Sequence, residues 1–188
     1  TLHYSSKYDG WVNKIGVRNP GLQWAINKYS RNDIISIAIL DSSEIPEILK
    51  ILPKTQNIEL NASCPNIDKG IFTNNLSKFQ NNYREWCIIK LSPTADSDLI
   101  DSYYKQGFRQ FHCSNTLKVA EGGLSGLALI PYTWKHIYHL RKYNDVTIIA
   151  GGGVYNWHTY VKYKLAGADH ISISTVFFHP FKFLKLYS

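Results

Sequence analysis

A chain of 188 residues is long enough for one hydrophobic core and too short for two ordinary domains with a linker, which predicts a single domain over residues 1–188. The excess of 21 Lys and Arg over 14 Asp and Glu gives a net charge of +7, but the lysines from Lys7 to Lys118 are scattered, which fits a solvated surface and argues against a nucleic-acid-binding face. Three cysteines without CxxC or metal-ligand spacing fit a reducing, cytoplasmic compartment, and no apolar run approaches the roughly 18 residues of a membrane span.

In chain order, Trp11 to Gly21 is rich in turn formers and reads as a loop leading into a helix near Leu22 to Lys28. Ile34 to Leu40, branched and flanked by Asn and Asp, reads as a buried strand. Asp41-Ser42-Ser43-Glu44 is a helix start for Ile45 to Leu52, which tolerates Pro46 in its first turn and stops at Pro53. Asn57 to Leu60 is the next strand, followed by a polar, aromatic helix candidate from Ile71 to Trp86. Cys87 to Leu91 is a strand, Ser92 to Asp96 caps a helix to about Gln106, and Phe108 to Cys113 is a strand. Pro131 to Tyr143 reads as a helix, Val146 to Ala150 as a strand, Trp157 to Leu165 as a helix and His170 to Ser174 as the last strand. With no methionine in the chain, Thr1 is read as following a removed initiator or as lying inside a longer reading frame; no signal peptide is read at the start.

Six strands alternating with helices imply a parallel sheet, either doubly wound or closed into a barrel. Polar or glycine-rich residues follow nearly every strand, which favours a site built from many strand ends, as in a (β/α)8 barrel. No GxGxxG follows the first strand, as a dinucleotide-binding doubly wound sheet would require.

The most informative stretch is Asn61-Ala62-Ser63-Cys64-Pro65-Asn66, where a strand ends in amides and a thiol and Pro65 stops it. Asn61 and Asn66 can each donate and accept, and an unperturbed thiol such as that of Cys64 titrates at about 8.5. Taken alone, the same hexapeptide reads better as a strand end with turn asparagines and a small buried cysteine. Gly122 to Gly126 and Gly151-Gly152-Gly153 let backbone amides approach a ligand; the triplet is read as running straight from a strand into a helix whose N-terminus attracts phosphate. With Ser174-Thr175 after the last strand, this predicts a phosphorylated cofactor held by the last two loops. Cys87 and Cys113 are assigned to packing, His112 to a structural or supporting position, and Asp169-His170 to a loop contact.

Several blocks, in order, resemble the dihydroorotate dehydrogenases: Asn13 to Gly21, Glu59 to Asn66, Ile89 to Pro93, Ser114-Asn115-Thr116, Gly122 to Gly126, Gly151 to Val154 and Gly167-Ala168. The resemblance implies a TIM barrel, of which this chain supplies strands three to eight, preferably as a piece of a longer reading frame. It implies FMN as cofactor and the oxidation of dihydroorotate to orotate in de novo pyrimidine (UMP) biosynthesis. Cys64 matches the general base, a cysteine in the soluble class. Asn13, Asn61, Asn66 and Asn115, with Thr116 and the neighbouring Ile15, Gly16 and Val17, match the substrate-binding residues. Lys90, Ser114, Gly126, Gly152, Gly153, Ser174 and Thr175 match the flavin-binding ones, with Lys90 beside the pyrimidine end of the ring. A homodimer or an electron-transfer partner subunit is compatible with the family, and neither nucleic acid nor membrane is implied. The short interval Leu117 to Glu121 and the form of Gly122 to Gly126 look more like the membrane-associated class. Another flavin barrel acting on a dihydropyrimidine, and an inactive truncated remnant, are the alternative readings.

Overall fold

The computed structural model describes residues 1–16, 18–61 and 75–179. Val17, Cys64 and Asn66, and with them the expectations placed on them, lie outside the described residues.

The chain opens with the antiparallel strands β1 (Leu2–Ser5) and β2 (Gly10–Asn13), followed by α1 (Leu22–Lys28), β3 (Ile34–Ala38), α2 (Ile45–Ile51) and β4 (Asn57–Asn61). Then come β5 (Cys87–Lys90), α3 (Ser97–Lys105), β6 (Gln110–His112), β7 (Leu117–Val119), β8 (Gly122–Gly126), α4 (Ile130–Leu140), β9 (Thr147–Gly151), α5 (Trp157–Leu165) and β10 (His170–Ser172). All six expected strands form one parallel sheet in the order β10-β9-β6-β5-β4-β3. A second, antiparallel sheet of order β1-β2-β8-β7 lies apart from it.

Alternation along each strand sorts the parallel sheet into two faces. Ile37, Leu60, Ile89, Phe111 and Ile148 stand in register across five strands and are buried, and they belong to the core that the helices cover. On the opposite face, Ser36, Glu59, Ile88 and Gln110 form one row. Asn61, Lys90 and His112 form the next row towards the carboxyl ends. Trp86, just before β5, meets His170 of β10 edge-on at 5.3 Å between ring centroids. Two intervening strands would hold them about 14 Å apart in a flat sheet, so the sheet curls and its polar face is the concave one.

Local signals place the helices as read. Asp41 and Glu44 form a reciprocal capping box ahead of α2, and Asp96 caps α3 by accepting from the Leu99 amide at 2.8 Å. The hydroxyl of Thr133 in α4 donates to the carbonyls of Cys113 and Gly151, at 2.9 and 2.7 Å, and so fixes α4 against β6 and β9.

Three expectations are corrected. Trp11 to Asn13 is strand rather than loop, because β2 pairs with both β1 and β8. Within Ile71 to Trp86, described from Asn75 onward, helical turns end at Phe79; the Tyr83 amide donates to the Asn81 side chain at 2.8 Å, a turn that competes with helix. Gly122 to Gly126 is the central strand of the antiparallel sheet, its backbone committed to β2 and β7. Glycine is required there: a Cβ on Gly122 would stand 2.2 Å from the Asn13 carbonyl oxygen.

β3 and β10 are the edges of the parallel sheet. Beside β3, a groove of about 1090 Å³ exposes Trp24, Tyr29 and Ile34. No helix among the described residues is long and apolar enough to cross a membrane.

Candidate active site

The concave face carries a buried polar layer centred on Glu59. Its carboxylate accepts from the Ser36 hydroxyl at 2.7 Å and from Lys90 Nζ at 3.0 Å on one oxygen, and meets His112 Nδ1 at 2.5 Å on the other. Glu59 and His112 are 7% and 8% exposed, so this charge stands in a poorly solvated place. Burial pushes the Glu59 carboxyl up, but the His112 hydrogen bond, the Lys90 and His112 charges and the Ser36 hydroxyl prevail and bring it to about 2. Glu59 is therefore an acceptor only, and the proton of its contact with His112 sits on Nδ1. Nε2 of His112 is buried without a hydrogen-bond partner.

Above this layer, three of the four expected asparagines are joined. Asn115 Nδ2 donates to Asn61 Oδ1 at 2.9 Å, and the Thr116 amide donates to Asn115 Oδ1 at 2.9 Å. The Thr116 side chain packs on Gly123, where a Cβ would stand 2.8 Å from Oγ1, and Asn13 Nδ2 donates to the Gly123 carbonyl at 3.2 Å. The parallel sheet supplies Asn61, the loop after β6 supplies Asn115 and Thr116, and the small sheet supplies Asn13. Next to Thr116, a cleft of about 470 Å³ opens, with Lys14, Lys118, Ser92 and Thr94 in its walls. Ile15 and Gly16 are exposed beyond β2 and are not drawn into this chain of contacts.

The glycines form the adjoining wall. A Cβ on Gly151 would stand 3.0 Å from Ser114 Cβ and 3.2 Å from His112 Nε2. On Gly152 it would meet Leu129 Cβ at 2.8 Å, and on Gly153 it would meet Ile130 Cγ1 at 2.6 Å and the Gly126 carbonyl at 3.2 Å. Gly152 and Gly153 also have φ of +83° and +72°, a region costly for other residues. Gly126 faces Tyr155 Oη, which bonds Thr175; Thr175 is buried and Ser174 exposed. Ser114, Gly126, Gly152, Gly153 and Thr175 thus line one continuous corner.

One expectation about this corner is corrected. The triplet does not run straight into a helix: Val154-Tyr155-Asn156 intervene, and Asn156 itself caps α5 by accepting from the Thr159 amide at 2.9 Å. Two residues escaped the sequence reading. Glu59 carries a legible signal, a carboxylate two residues before Asn61 on the same strand face, whereas Tyr155 carries none.

Lys90, the Ser114 hydroxyl and the unpartnered His112 nitrogen are polar groups suited to the edge of a flat cofactor, while the glycines serve close packing, since the places a Cβ would take at Gly151, Gly152 and Gly153 are held by Ser114, Leu129 and Ile130.

The sequence profile of the family described as Dihydroorotate dehydrogenase matches residues 3–185. The chain is 29% identical over 204 residues to "Dihydroorotate dehydrogenase B (NAD(+)), catalytic subunit" of Bacteroides fragilis, covering 90% of this chain and 67% of that protein. The protein of the same description from Caldicellulosiruptor saccharolyticus is 28% identical, covering 91% and 68%. In fold, the chain is similar to the ligand-free DHODH of Eimeria tenella, with a TM-score of 0.74 at 18% sequence identity, covering 98% of this chain and 70% of that one. The chain thus spans about two thirds of the length of these relatives, and its curled parallel sheet is the matching part of their barrel.

Proposed function

This chain belongs to the dihydroorotate dehydrogenase family, a family of oxidoreductases, and we propose that it oxidises dihydroorotate to orotate with FMN as cofactor and Cys64 as general base. The observation that carries this reading is the contact chain Asn61–Asn115–Thr116–Gly123–Asn13. It starts at Asn61, which is in register with the half-buried Lys90 on the next strand. Neutral amides suit a planar cyclic diamide, since each can both donate and accept, and an unpaired one costs about 1–3 kcal/mol.

In this reading Asn13, Asn61, Asn66, Asn115 and Thr116 hold the substrate ring, with Ile15, Gly16 and Val17 beside them. Cys64 takes the proton from C5 on one face. When bound, FMN supplies the acceptor for the hydride that leaves C6 on the other face. Lys90 and Ser114 would hold the flavin ring, and Gly126, Gly152, Gly153, Ser174 and Thr175 its phosphate end. Lys90 does not stand alone, because it donates a hydrogen bond to the Glu59 carboxylate, which fixes its direction. The cleft lined by Lys14 and Lys118 lies beside Thr116, where a carboxylate-bearing substrate finds positive charge.

The curated relatives are described as NAD(+)-dependent and as catalytic subunits. That supports a second, electron-transferring subunit as the route to the oxidant, in a cytoplasmic setting. The test is anaerobic: purified protein is loaded with FMN and mixed with dihydroorotate or dihydrouracil. Bleaching of the flavin by dihydroorotate alone supports this reading; bleaching by dihydrouracil assigns the chain to another dihydropyrimidine, and a protein that takes up no FMN refutes it.

A further inference from the structure

The cleft beside Thr116 is walled by cations and hydroxyls. Lys14, Lys118, Ser92, Thr94, Thr116 and Gly123 are among its lining residues, and no acidic residue is. Across the small sheet Lys118 stands in register with Gly123, and Gly123 with Asn13, so Lys118 lies on the sheet face that carries Asn13. The alternate pair, Val12 and Leu124, is buried on the other face. Lys14 follows Asn13 directly, and its amide donates to the Thr1 carbonyl at 2.8 Å, which holds it beside the end of β2.

No ion pair among the described residues uses Lys14 or Lys118. Glu121, in the turn between β7 and β8, is occupied by Lys7 at 3.6 Å and by the Tyr8 hydroxyl at 3.0 Å. The hydroxyls of Ser92 and Thr94 lie 3.0 Å apart; a bond between them uses one hydrogen and leaves the other to donate. Two unneutralised ammonium groups and a spare hydroxyl hydrogen suit an anion. Thr116 and Gly123 belong both to this cleft and to the contact chain that ends at Asn13, so the charged end of a ring held by that chain meets the lysines.

We propose that Lys14 and Lys118 are specificity-determining residues, which receive the carboxylate of the substrate and so select an anionic dihydropyrimidine over its uncharged counterpart. This rests on the dihydroorotate reading and deepens it by naming the side chains that make the choice. The amides of Asn13, Asn61 and Asn115 suit the ring groups that dihydroorotate and dihydrouracil share. The carboxylate is the group that only dihydroorotate has. Both lysines are exposed, so each contributes modestly and salt screens the contribution.

The test titrates FMN-loaded wild type, Lys14→Gln, Lys118→Gln, the double variant and Lys118→Arg with orotate and with uracil, which lacks the carboxylate. Each single Gln variant should lose about threefold in orotate affinity and the double variant about tenfold, while Lys118→Arg keeps most of it. Added salt should weaken orotate binding to wild type more steeply than to the double variant, and uracil should not distinguish the proteins. Equal orotate affinity in wild type and double variant overturns the inference, as does a loss that uracil shares in equal measure. In either case a wild type that binds orotate leaves the dihydroorotate reading standing; a yellow wild type that binds no orotate overturns both.

Discussion

Asn115 donates through its side-chain amide to Asn61 at 2.9 Å, joining the loop after β6 to the end of β4 across the strand that lies between them. The bridge spans two strand spacings because the sheet curls, and it sets two amides side by side at the mouth of the concave face. Asn115→Ala removes a donor and an acceptor from the proposed substrate contacts while leaving the core intact. Orotate binding should weaken about 10- to 100-fold, the equivalent of about 1–3 kcal/mol, with little change in melting temperature. Equilibrium titration of the two proteins with orotate checks this; equal affinities would remove Asn115 from the binding site.

Glu59 should matter for stability as well as for the site. Glu59→Leu leaves Lys90 and His112 in a buried place without their shared acceptor, which should cost about 3–5 kcal/mol in urea unfolding. The wild-type pH profile carries the same interaction. Because the folded carboxyl is held at about 2 against an ordinary 4.5, its contribution is present above pH 4.5 and is lost as pH falls towards 2. The total is about 3 kcal/mol. Glu59→Gln should flatten that part of the profile.

His136 sets a second, separate pH window. It lies fully buried in α4, and burial, helped by the nearby charges of Lys135 and His139, pushes its folded value down to about 4 despite the bond to the Ala95 carbonyl. The unfolded chain therefore binds a proton that the folded one refuses, and stability should fall as pH drops from 6.5 to 4, by about 3 kcal/mol in all. His136→Leu should remove this slope, as measured by thermal unfolding at successive pH values; an unchanged slope would contradict the assignment.

Gly153→Ala tests the glycine wall. The added methyl would stand 2.6 Å from Ile130 Cγ1, on a backbone at φ +72°. Strain and overlap together should cost about 2 kcal/mol or more and should weaken FMN uptake. Gly16→Ala provides the comparison: Gly16 has a similar φ, +69°, but nothing within 4 Å, so it should show the backbone cost alone, about 1–2 kcal/mol.

How far the chain could be read from its residues follows from what each element depends on. Runs such as Ile34 to Ala38 and Cys87 to Leu91 are rich in apolar residues because one face of each lies in the core under the helices, so all six parallel strands and their barrel-like arrangement were legible. The antiparallel sheet was not, since Gly122 to Gly126 has almost no side chains to alternate and is a strand only because Asn13 and Val119 flank it closely. Asn13, Asn61 and Asn115 were legible as polar residues at segment ends, and the fold links them although 102 positions separate the first from the last. Glu59 was passed over because a lone carboxylate on a strand reads as solvent-facing; it is buried only because the sheet curls and brings Lys90 and His112 to it. The break of the helix after Phe79 depends on the Asn81 turn, which competes locally with good helix formers.

The central claim is that this chain places a thiol and a set of amides on one face of dihydroorotate and a flavin on the other. Stopped-flow mixing of FMN-loaded wild type and Cys64→Ala with dihydroorotate in the absence of oxygen tests it most directly. The account predicts rapid flavin bleaching in wild type and none in a Cys64→Ala protein that is equally yellow. Equal bleaching rates in the two proteins, or a wild type that dihydroorotate does not reduce, would contradict it.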